Sequence, residues 1–518
     1  MAQDAAHSSS SQPEVIVKTD HLSPLPEELI DSICAWLPTF DMCNFRLTSR
    51  ILKEKSDHAF TVCYFKITQI ILTRESLETL INKIANDNRY GPNVKILQIC
   101  LVTFPPEAKS RITGLPLTEK EIEAFEMISS ANNDTDTKDP LPLADILQQK
   151  LHNTIKRTRR RLYGQHYHSQ NALRTQCLDV TLLSEALCRL PALESITILG
   201  HLDPINPPWG ARKIQHDIGM WPPSAFPVPT RLHLSTEYNR LMYNKEVVRY
   251  FRRFCTHTMA VVFASLLRSG IKLKQALRIE GAPYSLLIPE KPDSRRVFPT
   301  MTPARTFSSD RIPDLLPAFS ELKELSLKVF HYQNYSPSDF GLADFAPLSW
   351  IQKFVPLWSS IHILSISGAE HAHESSIFGN LSATSSTLVS GHLGSATFPN
   401  LRVLRISDTL FRIENIIQML QNHRSTLQEF ATHNSRPVSH LDYLNLLQSL
   451  TSMPALVNIE LIRGSSKVRQ QRYTKSWTLD GIAKLTKIEI RKGTPAAFQN
   501  ALESKIMAIL TSNMSLGV

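Results

Sequence analysis

Apolar positions change rhythm along this chain. Near the N-terminus Leu29, Ile30, Ile33 and Leu37 recur at helical spacing and form one stripe, ended by Pro38. Pro26 suits the first helical position, where its missing N–H would be unpaired anyway, and Glu27 and Glu28 suit the positive end of the helix dipole. Thr39 and Asp41 open a second short helix, Phe40 to Leu47, and Thr48 or Ser49 caps a third that runs to about Phe60. Three short helices in roughly forty residues cannot bury every apolar side chain among themselves. Part of the stripe is therefore expected to face a partner.

Past residue 90 the rhythm becomes helix, turn, strand. Strands are predicted at Val94 to Val102, Ser195 to Gly200, Ala276 to Gly281, Glu324 to Val329, Ile363 to Gly368, Val403 to Asp408, Asn458 to Gly464 and Thr486 to Lys492. Leu190-Pro191-Ala192-Leu193-Glu194-Ser195-Ile196-Thr197-Ile198 is the clearest unit, and Phe319 to Leu327, Phe398 to Ile406 and Met453 to Leu461 repeat its form. In each, an apolar residue before the strand closes a turn, and two apolar residues at period two face a common core. Units this short bury their apolar faces only by stacking on one another, which predicts a mixed α/β fold: an irregular solenoid of alternating helices and parallel strands over 66–518. The rival architecture is an ordinary α/β domain with a parallel sheet. Insertions interrupt the units at about 103–175, 201–235 and 369–397; the second is rich in Pro and carries Trp209 and Trp221. Such inserts often form the binding face.

Composition narrows the class. The 518 residues are 42% hydrophobic and 20% charged, an ordinary globular balance. No apolar run reaches membrane-spanning length. The first twenty residues are polar, read as a disordered tail, and lack the apolar core of a secretory signal. Seven scattered cysteines without paired spacing point to reduced thiols in the cytosol or nucleus. Of the formal charge of +10, part is concentrated in Lys156-Arg157-Thr158-Arg159-Arg160-Arg161. A nuclear-import signal, a nucleic-acid patch and a solvated face are the three readings of Lys156, Arg157, Arg159, Arg160 and Arg161. The cluster lacks the interleaved aromatics of a nucleic-acid platform, which disfavours that partner. An import signal requires exposure, with Leu151 to Ile155 ending a helix and Gly164 to Ser169 forming a turn.

Motifs of catalysis are missing. Neither G-x-x-x-x-G-K-[ST], G-x-G-x-x-G nor G-x-S-x-G occurs. His371-x-His373-Glu374 and His166-x-His168 lack zinc-site spacing. Cys255 and His257 lie two apart in an expected helix, Glu246 to Arg268, so their side chains point to different faces. The expectation is a protein that is not an enzyme, with no cofactor and no metal.

The N-terminal segment resembles the F-box, on Leu25-Pro26-x-Glu28-Leu29, the stripe to Ile33 and Leu37, Pro38, Asp41, and Phe45-Arg46-Leu47-Thr48-Ser49-Arg50-x-Leu52. Met42 and Cys43 stand where two leucines are usual. The likeness continues in a form common in fungal F-box proteins, through Phe60, a short extended run, Thr73 to Leu80 and a strand near Val94 to Leu97. The later units resemble degenerate leucine-rich repeats. The resemblance implies a domain over 21–65 that docks the Skp-type adaptor of a cullin–RING ubiquitin ligase through Leu25, Pro26, Leu29, Ile33 and Leu37, with Leu47 in support. It implies a target protein held by the repeat region. The alternative is a non-catalytic repeat scaffold whose first helices only cap the solenoid.

Overall fold

The computed structural model describes residues 21–37, 39–106, 141–200, 202, 206–219, 245–282, 309–329, 355–368, 396–407, 410–411, 413–433, 436–437, 441–462, 487–491 and most of 494–507. The tail at 1–20, Pro38, Trp221, His371, His373 and Glu374 lie outside them. The chain divides into two compact units, 1–66 and 67–518.

The second unit is built on one ten-stranded sheet. Its strands are β1 (Ile67–Ile71), β2 (Ile96–Cys100), β3 (Ser195–Leu199), β4 (Ala276–Ala282), β5 (Glu324–Val329), β6 (Ile363–Gly368), β7 (Val403–Ser407), β8 (Glu429–His433), β9 (Asn458–Ile462) and β10 (Lys487–Arg491). Each pairs with its successor in the chain. All pairs are parallel except the last, β9 with β10. Mixed α/β architecture with a parallel sheet is thus present, and seven of the predicted strands lie in it in chain order. The expected final strand is there too, but it runs antiparallel. Two two-residue strands, Leu410–Phe411 and Arg436–Pro437, pair separately.

Register explains why alternating leucines were legible. Leu97, Ile196, Leu277, Leu325, Leu364, Leu404, Phe430 and Ile459 align across the sheet as one buried row. Ile70, Ile99, Ile198, Ile279, Leu327, Ile366, Ile406, Thr432 and Leu461 form the next. Before the strands, backbone bonds step from unit to unit: Glu194 N–H to Lys95 O, Gln275 to Glu194, Lys323 to Gln275, His362 to Lys323, Arg402 to His362, Gln428 to Arg402 and Val457 to Gln428. The turns are equally regular. Leu193, Leu322, Ile361 and Leu401 each donate to the carbonyl three residues back, of Leu190, Phe319, Trp358 and Phe398. At the β8 unit the turn is one residue longer, and Leu427 donates to the carbonyl of His423, four residues back, where a histidine stands in place of an apolar residue. Its Nδ1 lies 2.6 Å from Met419 O, and its Nε2 accepts the Phe398 N–H at 2.8 Å. Those roles require neutral imidazole, and burial lowers its pKa accordingly.

Helices α5 (Arg74–Thr79), α6 (Leu141–Thr175), α7 (Leu178–Cys188), α8 (Ala211–Ile218) and α9 (Lys245–Ser269) belong to the first half of this unit. Helices α10 (Ile413–Asn422) and α11 (Leu441–Thr451) belong to the last. The basic cluster corrects an expectation. No helix ends near Ile155 and no turn forms at Gly164 to Ser169; Lys156 to Arg161 lie inside the 35-residue α6. Arg159 is buried, not solvated. A Cβ at Gly219 would overlap its guanidinium, and Gly219 takes φ +71° to close α8, donating its N–H to Gln215 O at 2.8 Å. Gly219→Ala should destabilise the unit by at least about 1 kcal/mol from the left-handed backbone alone. Gly270, at φ +68° with open space around it, is the control. In urea unfolding Gly219→Ala should cost more than Gly270→Ala, the excess reporting the displaced Arg159.

The inner face of α6 is polar where a core helix is usually apolar. Gln170 Nε2 donates to Leu72 O (3.1 Å) and Val102 O (3.0 Å), tying the ends of β1 and β2. Arg174 donates to Gln170 Oε1, Thr103 Oγ1 and the Tyr250 hydroxyl, and its guanidinium lies 4.4 Å from the Phe254 ring centre. Beside it Asp179, at the start of α7, bonds His257 of α9 at 2.6 Å, both side chains fully buried. Cys255, two residues away, is also buried, which pushes its thiol far above the ordinary range; it behaves as a small hydrophobe.

Candidate functional site

The described residues of the first unit form four helices: α1 (Glu27–Trp36), α2 (Thr39–Thr48), α3 (Arg50–Lys55) and α4 (Asp57–Phe65). The expected third helix is split at Ser56. Pro26 holds extended backbone (φ −56°, ψ 154°) at the entrance to α1, and Glu27 and Glu28 occupy its first turn. Ser49 caps α3, its Oγ accepting the Ile51 N–H at 3.2 Å.

The core is small: Ile30, Cys34, Met42, Leu52 and Ala59, with Leu25, Ile33, Leu37, Phe45 and Phe60 packed against it. Polar contacts supply what so few apolar residues do not. Lys55 Nζ donates to Ser23 O (2.8 Å) and Leu25 O (2.6 Å), clamping the segment before α1. Asp31 Oδ1 accepts the Ala59 N–H at 3.3 Å and joins α1 to α4. Arg46 pairs with Asp57 at 2.9 Å and lies 4.1 Å from the Phe60 ring centre. Burial raises the Cys34 thiol pKa, so it stays protonated in the core.

The sequence-selected residues separate into two sets. Leu29 (51% exposed) and Leu47 (83%) present side chains to solvent, with Pro26 exposed beside them in sequence. Leu25, Ile33 and Leu37 are half-buried and pack on the core. Met42, which stands in place of a usual leucine, faces inward, so that departure changes packing and not the exposed face. Four exposed apolar residues of this unit escaped the sequence reading: Trp36 (88%), Ile51 (50%), and Leu22 and Val62 (40% each). Trp36 lies seven residues after Leu29, on the same helical face, so an i, i+7 search would have found it. These large apolar side chains are held outward by a packed frame that does not bury them.

The described residues contain no group of three or more His, Cys, Asp and Glu able to hold a metal. His166, one of the superficial metal-ligand candidates, bonds Asp217 at 2.9 Å instead. No described helix is long and apolar enough to cross a membrane. Lys156, Arg157, Arg159, Arg160 and Arg161 lie in the other unit.

The F-box domain family matches residues 22–59. Comparison with curated proteins finds no match to the chain. The matched segment spans α1 to α3, with the outward Leu29 and Leu47, and the start of α4, and residues 22–59 carry an F-box domain.

Proposed function

We propose that this protein is the substrate receptor of a Skp–cullin–F-box ubiquitin ligase. The exposed leucines of the F-box carry the reading: they are the residues a Skp-type adaptor would cover, with Leu25, Pro26, Ile33 and Leu37 shaping and supporting that surface. The second unit is read as an irregular leucine-rich-repeat-like solenoid. The recurrent turn, the stepping backbone bonds and the chain-order strands support that reading. It would hold a target protein near the ubiquitin-charged enzyme, raising effective concentration while performing no bond chemistry and using no cofactor. The expected site of action is the cytosol, the nucleus or both.

Purification of the tagged full chain with a co-expressed Skp-type adaptor tests the proposal. A stable complex is expected from the intact chain and none after deletion of residues 22–59. Adaptor recovery that survives the deletion, or no recovery with the intact chain, would leave the repeat-scaffold reading instead.

A further inference from the structure

Helix α6 carries seven Lys and Arg residues against one acid, Asp145, and no Asp or Glu occurs from residue 146 to 178. That helix alone supplies +6 of the chain's formal +10. At 100° per residue its charges fall on two faces. Arg159 and Arg174 point inward with Tyr163, His166 and Gln170, and Tyr163 donates its hydroxyl hydrogen to Pro105 O at 2.7 Å. Lys150, Arg157, Arg161 and His168 form the opposite row, with Arg160 and Gln165 on its flanks, all exposed. Among the described residues no carboxylate pairs with Lys150, Arg157, Arg160 or Arg161. The inner contacts hold the helix, so the outer row is a fixed array and not a charged tail.

We infer that the outward face of α6 binds a carboxylate-rich, extended segment of a target protein. This inference rests on the receptor reading and gives its target a chemistry. The fit is one of charge and spacing. From Lys150 to His168 the row is about 27 Å long, at 1.5 Å per residue. About eight residues of extended chain cover that length. Arg157 and Arg161 sit one turn apart, about 6 Å along the axis. Alternate side chains of an extended strand repeat at about 6.8 Å, so Asp or Glu at every second position meets successive guanidiniums. Nucleic acid fits less well. A single strand stacks its bases on exposed aromatics, and this row has none. The row is also only one side chain wide, which suits one acidic strand better than the two backbones of a duplex.

The test uses the full chain and a fluorescent peptide of about eight alternating Asp and Glu residues. Anisotropy should show binding that weakens as salt rises. Arg157→Glu with Arg161→Glu should weaken it about tenfold or more, without a change in melting temperature. Absence of salt-sensitive binding, or equal binding by the variant, overturns the inference. Tighter binding of a short DNA duplex that the same variant loses also overturns it, in favour of nucleic acid. Adaptor co-purification with the wild-type chain separates the two readings. Absent peptide binding with adaptor capture intact strikes this inference alone, and absent adaptor capture with peptide binding intact strikes the ligase reading.

Discussion

Leu29→Ala combined with Leu47→Ala is expected to abolish capture of a Skp-type adaptor while the F-box stays folded. Both side chains are at least half exposed, so truncation opens no core cavity. At the centre of an interface each lost leucine costs on the order of 2 kcal/mol. Together they would weaken binding by about 4 kcal/mol, roughly a thousandfold. Leu25→Ala with Pro26→Ala should also abolish capture, but it is a less specific test, because Leu25 packs on the core and its carbonyl receives Lys55. Ile30→Ala supplies the contrast. It removes a fully buried residue from a small core, at about 2–5 kcal/mol, and should melt the domain outright. Adaptor pull-down beside hydrogen exchange over 27–65 distinguishes the cases. Undiminished capture by the Leu29/Leu47 double variant would mean that these leucines are not the adaptor surface.

Asp179→Ala should lower the stability of the second unit by about 1–3 kcal/mol, because it leaves the buried, neutral His257 N–H without its acceptor. Arg174, whose charge acts on His257, bonds only the neutral groups of Gln170, Thr103 and Tyr250 among the described residues. Acid acts on the same cluster. Burial lowers the His257 pKa, Arg174 adds to the effect, and both outweigh the opposing pull of Asp179. Folded His257 therefore resists a proton that the unfolded chain accepts near its ordinary value of about 6.5. The contribution is complete above that pH and is lost as pH falls below it, down to the folded pKa. His423 acts in the same direction. Urea midpoints at neutral and mildly acid pH should show the loss, and His257→Gln should reduce it. A midpoint independent of pH across that window would contradict the neutral, buried assignment.

How much of this was legible depended on which side chains face inward. The strands were visible where two large aliphatic residues alternate, as in Leu325 with Leu327 or Leu404 with Ile406. Strand β8 was missed because its inward pair is Phe430 and Thr432, and because His423 stands at its turn in place of an apolar residue. The direction of β10 was not readable, since Ile488 and Ile490 alternate alike in either sense. Helix α6 was hidden by its own interior: Arg159, Gln170 and Arg174 occupy buried positions that a hydrophobic pattern scores as solvent. In the F-box, the outward and inward halves of one stripe have the same composition. Leu29 and Leu37 differ only in what the neighbouring helices leave uncovered.

The order of strands has a consequence for synthesis. From β1 to β9 every strand has as its earlier neighbour the one translated just before it. A nascent chain leaving the ribosome can therefore lengthen the sheet one strand at a time, without waiting for a distant segment. Long inserts between strands delay that growth but do not reorder it. Until the next strand arrives, the newest one presents open backbone, a site where a second nascent chain can pair in error. Antiparallel β10 ends the series after β9, so release of a chain truncated between them would leave that parallel edge uncovered.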